Sequence, residues 1–125
     1  MATWDDVRRI VMALPEVTER PTYDDAPAWR VKDKLFAWDR PPRKTDPATT
    51  GPILAASVPD LGAKDALLAD NPTVYFTIPH LDNYAAILVH LDHITTEDLT
   101  ELLTEAWLCR APKTLAKHFT ATNPH

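Results

Sequence analysis

Glycine is nearly absent: the 125 residues contain only Gly51 and Gly62. A glycine-rich phosphate cradle needs backbone brought close to the anion, so nucleotide-binding loops of that kind are excluded. Turns fall instead to 12 prolines and to Asp and Asn. Cysteine occurs once, at Cys109, so no intrachain disulfide forms, which suits a reducing compartment. Serine also occurs once. Ser57 lies inside an apolar run rather than at a nucleophile elbow, which gives little support to serine-based catalysis. No apolar run approaches the length of a membrane span. The N-terminal MATWDDVRR meets acids before any apolar stretch, unlike a signal peptide. The expectation is a cytoplasmic protein with no membrane partner.

What is present suits a packed core. Hydrophobic residues make up 45% of the chain, with four Trp among them. We expect a single domain over residues 1–120 and a short tail at 121–125. The net charge of −5 opposes bulk attraction to nucleic acid or to anionic membranes.

Apolar spacing organises the chain. Trp4, Val7, Ile10, Val11 and Leu14 recur at helical intervals behind Thr3, whose hydroxyl caps the free N–H groups, and Pro15 stops the helix. A short strand is expected around Val17–Arg20. Ala28–Lys32 alternates, Asp33-Lys34 reads as a turn, and Leu35–Asp39 returns as the second arm of a hairpin. Residues 40–50 read as an exposed loop. Ile53–Val58 is a further strand. Asp60 caps a short helix to Asp70, with Leu61, Leu67 and Leu68 toward the core. Val74–Ile78 and Ala85–Leu91 are the last two strands. Thr95 or Thr96 caps a helix whose buried stripe is Leu99, Leu102, Leu103, Ala106 and Trp107, and Pro112 starts a final helix over Lys113–Phe119. Short strand connections imply an antiparallel sheet. Helices at the chain ends cover one face, giving an α+β two-layer sandwich.

The segments WRVKDKLFAW (29–38), VYFTIPHLDNYAAILVHL (74–91) and LTELLTEAWLCRAPKTLA (99–116) resemble the MmcQ/YjbR-like family. With Val7–Glu16, the resemblance covers most of the chain. It implies a frataxin- or CyaY-like sandwich and a non-enzymatic DNA-binding role through projecting hairpins, a double wing. One departure weakens that role: His90 occupies a strand position where the family often has Arg, removing a fixed positive charge.

Local charge carries the DNA reading. Residues 29–44 hold Arg30, Lys32, Lys34, Arg40, Arg43 and Lys44 against Asp33 and Asp39, a net +4 that leaves −9 on the remainder. Such cations can grip phosphates; the plainer alternative is a solvated hairpin whose charges prevent edge-to-edge pairing. A second reading uses the face of the sheet turned away from the helices. Strand alternation places Tyr84 and His90 there, with Tyr75 and Thr77, opposite Val74, Phe76 and Ile78. That surface suits a small molecule, a peptide or a second copy of the chain.

Other clusters carry less. His90, Asp92 and His93, with His80 and Asp82, are metal-competent side chains, but strand alternation separates them, so no metal site and no cofactor is expected. Glu97, Glu101 and Glu105 recur at four-residue spacing beside Asp98. They read as a solvated helix face, with a basic partner as the alternative. Cys109 reads as a buried, inert thiol.

Overall fold

The computed structural model describes residues 2–21, 26–40 and 51–122. The chain runs α1 (Trp4–Met12), β1 (Val17–Glu19), β2 (Ala28–Val31), β3 (Lys34–Asp39), β4 (Ile53–Ser57), α2 (Leu61–Asp70), β5 (Tyr75–Phe76), β6 (Ala86–His90), α3 (Thr96–Arg110) and α4 (Lys113–Thr122). The strands form one antiparallel sheet in the order β1-β2-β3-β4-β6-β5. The architecture is therefore α+β, as the spacing predicts. Among the described residues no helix is long and apolar enough to cross a membrane.

The helix ends follow from local chemistry. Asp6 N donates to Thr3 Oγ1 at 3.3 Å while Thr3 N donates to Asp6 Oδ2 at 3.0 Å, a reciprocal capping box that starts α1. Thr95 caps α3 by accepting from Asp98 N at 3.1 Å. The stripes so started bury Val7, Ile10 and Val11 from α1, and Leu99, Leu102, Leu103, Ala106 and Trp107 from α3. These pack on Trp29, Leu54, Ala56, Ile87 and Val89 of the sheet to form the main core. Trp107 stitches the layers: its Nε1 donates to Pro15 O at 3.0 Å, just past α1, and its ring meets Phe119 of α4 at 4.9 Å. At the β1 edge, Trp29 Nε1 and Arg8 Nε each donate to Glu19 Oε1 at 2.8 Å.

The hairpin turn sits one residue earlier than the sequence suggests. Val31 pairs with Lys34, so Lys32 and Asp33 are the two turn residues, with φ of 49° and 69°. A two-residue turn with both φ positive matches the right-handed twist of the strands, which normally calls for Asn-Gly. Here Lys32 and Asp33 hold it without glycine. Gly51 stands just before β4 at φ 81°, where a Cβ would come within 2.5 Å of Asp92 Oδ2.

Two expectations are corrected in part on α2 and β5. On α2, Leu67 and Leu68 are half-buried and pack against the main core as expected, whereas Leu61 is exposed. The one fully buried side chain of α2 is Lys64, at 2% exposure. The lysine Nζ donates to Leu81 O and, at 2.9 Å, to Tyr84 O. Where α2 faces the 81–84 loop it meets backbone carbonyls, which need a donor. The strand β5 is only two residues long. Pro79 lacks an N–H and opens a single 3-10 turn over Pro79–Leu81.

Candidate functional site

Of the six basic positions, the four described ones differ in exposure. Lys34 is exposed at the start of β3. Lys32 is exposed on the turn, but its Nζ lies 3.4 Å from Glu16 Oε2. Asp33, beside it, pairs with Arg20 at 3.0 Å. Arg30 is half-buried in β2. Arg40 corrects the exposed-loop expectation: it is 6% exposed, and its N–H donates to Ile53 O at 3.0 Å. Continuing β3 alongside β4 turns that side chain inward, so it does not offer its guanidinium to phosphate. Arg43 and Lys44 lie outside the described residues.

The face opposite the helices is also not the site that alternation predicts. Tyr75 pairs with Val89 and Phe76 with Leu88. Directly opposed residues share a face, so Tyr75 joins the main core on the helix side and Phe76 takes the other face. The expected parity of this strand is therefore reversed. His90 does lie on the far face, stacked on Phe76 at 4.2 Å with the rings 17° apart. Burial pushes the His90 imidazole below its ordinary value, with His93 adding to the effect and Asp92 opposing it. Ile53, Ala55, Ile78 and Leu88 are buried in a second, smaller cluster there, with Trp38, Phe76 and Leu81 packed against them. The centre of this face is thus occupied by the protein's own side chains. Thr77 is half-buried, and Tyr84 is 45% exposed in the bend before β6. Tyr75, Thr77, Tyr84 and His90 do not converge.

What the fold does build is a cleft of about 500 Å³ between α2 and α3. Its floor is apolar: Val58 and Pro59 beyond β4, Ala63 and Leu67 of α2, and Leu102 of α3. Its rim is acidic. Asp98, Glu101 and Glu105 stand along one stripe of α3, and Asp70 faces them from the end of α2. None of the four has an ion-pair partner among the described residues.

Tyr75 lies against this cleft and is 7% exposed. Its hydroxyl makes no hydrogen bond with any described residue, nor is it among the polar atoms sealed from solvent. Burial raises the phenol above its ordinary value, and the nearby Asp98, Asp70 and Glu101 carboxylates push the same way. At one end of the cleft, Ser57 Oγ accepts from Arg110 Nε at 3.3 Å and donates to Leu35 O at 3.4 Å. Ser57 is thus tied into the structure, with no base beside it. Cys109 is half-buried, its thiol pushed up by burial and by Glu105. Among the described residues, no three His, Cys, Asp or Glu side chains come together as a metal-ligand set.

The YjbR family model matches residues 12–109. The chain belongs to the YjbR family. Uncharacterized proteins of Mycobacterium bovis and Mycobacterium tuberculosis are each 49% identical to it over 132 residues, covering 98% of this chain and 99% of theirs. The crystal structure of Deinococcus radiodurans protein DR2400, family-model domain DUF419, superposes with a TM-score of 0.71 at 24% identity. It covers 98% of this chain and 88% of that one. The likeness to that structure concerns the fold. The YjbR match spans the hairpin, the cleft walls and α3 together, so the site described above lies within the family's matched region rather than in an appended segment.

The carboxylates of α3 were visible in the sequence as a four-residue repeat, but nothing in the repeat placed them over a cleft. Tyr75 was visible as a candidate on the wrong face. Its true position follows from the Tyr75–Val89 register, which pairing across the sheet sets and strand alternation alone does not.

Proposed function

We propose that this YjbR-family protein is a non-enzymatic binding protein that takes a small molecule in the α2–α3 cleft. The observation that supports this most is Tyr75: a tyrosine 93% withdrawn from solvent, edging a cleft of about 500 Å³, with its hydroxyl unpartnered among the described residues. The hydroxyl is not sealed from solvent, so a ligand entering the cleft can reach it and take the place of water as its partner. The cleft has the size and the apolar floor of a small-molecule site. Protein-observed NMR against a chemically diverse fragment set tests the reading. Hits should shift the amides of 63–70 and 98–105 and compete with one another; hits that all map elsewhere would overturn it.

A second reading, DNA contact, keeps one favourable observation: Lys32 and Lys34 are exposed at the turn of the β2–β3 hairpin. With Arg30 they offer three phosphate contacts among the described residues. Binding at low salt with a log–log salt slope of roughly −2 to −3 supports it. A Lys32→Glu/Lys34→Glu variant that binds as the wild type does would end it.

A further inference from the structure

The rim of the cleft says which chemistry would fill it. Asp98, Glu101 and Glu105 succeed one another at three and four residues along α3. At the rise of an α-helix those steps are about 4.5 Å and 6 Å along the axis. Asp70 faces this row across the cleft, and no described cation neutralises any of the four. Between the two acidic walls runs a floor without charge, of Val58, Leu67 and Leu102. A ligand that satisfies all of this has positive ends and an apolar middle.

Resting on the reading that the cleft is a ligand site, we propose that it binds a linear aliphatic di- or triamine. With C–C and C–N bonds of about 1.5 Å, an extended chain advances roughly 1.25 Å per bond, so three methylenes separate two ammonium groups by roughly 5 Å and four by roughly 6 Å. Those intervals match the two steps along α3. The methylenes lie on the apolar floor, as the stem of a lysine does on a protein surface. A terminal ammonium has three donors and no acceptor, so it can meet a carboxylate and still donate to the Tyr75 oxygen, whose own proton is free for a second carboxylate. A metal ion fits less well, since it would leave the apolar floor uncovered. An anion meets four like charges. Arg110 Nε is directed at Ser57 Oγ.

The full-length protein is titrated calorimetrically and by amide NMR with spermidine and cadaverine, and with two chains of similar length but different charge, glutarate and 1,5-pentanediol. The proposal expects saturable spermidine binding that shifts amides of 63–70 and 98–105. It expects Asp98→Asn/Glu101→Gln to weaken that binding by about tenfold or more, and Tyr75→Phe, which leaves net charge unchanged, by about three- to tenfold. Asp5→Asn/Asp92→Asn, with the same change in net charge at exposed positions away from the cleft, should leave it within about twofold. Equal weakening by both double variants means non-specific attraction and overturns the proposal. If only glutarate or pentanediol shifts the cleft amides, the amine assignment falls while the ligand site stands. If no probe of any charge shifts them, both fall.

Discussion

Replacing Lys64 with methionine removes the amine that holds the 81–84 loop to α2 while keeping the volume of a buried, unbranched side chain. The wild-type Nζ, at 2% residue exposure, donates to the carbonyls of Leu81 and Tyr84. Hydrogen bonds from a charged donor contribute about 1.5 kcal/mol each or more, so the pair accounts for about 3 kcal/mol. Methionine offsets part of this, because it no longer confines a cation away from water and because the loop carbonyls can turn toward solvent. The net expectation is a loss of about 2 kcal/mol, which for a chain of this size lowers Tm by about 8 °C. Urea denaturation followed by tryptophan fluorescence measures it, with calorimetry as a second probe. Amide exchange should quicken at Leu81 and Tyr84, whose N–H groups bond to Ile78 O and Leu81 O within the same loop. There is a pH signature as well. Burial holds the folded Lys64 below its ordinary 10.5, while Asp82 and Asp65 oppose the shift. The unfolded chain therefore binds the proton more tightly, and wild-type stability gains relative to the methionine variant as pH rises from the lowered folded value toward 10.5. A methionine variant as stable as wild type, with unchanged loop exchange, would refute the assignment of Lys64 as the anchor of α2.

Three other outcomes follow from the geometry. Lys32→Asn should stabilise the chain by about 0.5–1 kcal/mol in denaturant, because asparagine tolerates the φ of 49° better than lysine does; no change would mean that the turn is unstrained. Glu19→Ala should cost about 1 kcal/mol after allowance for solvent screening, since Arg8 and Trp29 both lose their acceptor. Arg8, together with the Trp29 bond, holds the Glu19 carboxyl below its ordinary 4.5, so its contribution is present above that value and disappears as pH falls through the lowered one. His90 works in a separate window. Its folded value is depressed below 6.5, so the stability it contributes is present above pH 6.5 and is lost as pH falls through the lowered value. His90→Phe should abolish that part of the acid profile, and an unchanged profile near pH 6 would contradict it.

The residues that read correctly in the sequence are those whose structure is decided locally. Thr3 with Asp6 and Thr95 with Asp98 cap their helices because capping involves neighbours three positions apart. The α1 and α3 stripes follow the helical period, so Trp107 and Leu103 were identifiable as core. What the sequence left open depends on partners far along the chain. The face of Tyr75 is set by its pairing with Val89, and in a two-residue strand there is too little alternation to reveal it. The role of Lys64 is not legible locally, because the carbonyls it meets lie 17 and 20 positions away. Arg40 looked like part of a basic loop because its neighbours in sequence are polar, yet its neighbour in space is Ile53. The acidic row of α3 read as a solvated face since the second wall, Asp70 of α2, is joined to it only by the fold.

The central claim is that the α2–α3 cleft holds an aliphatic polyamine against Tyr75. A crystal structure of the protein grown with spermidine tests it most directly. The account predicts a chain lying along α3, its ammonium groups within hydrogen-bond distance of Asp98 and Glu101 and one of them at the Tyr75 oxygen. An empty cleft at saturating spermidine, or spermidine seated instead beside Phe76 and His90, would contradict it.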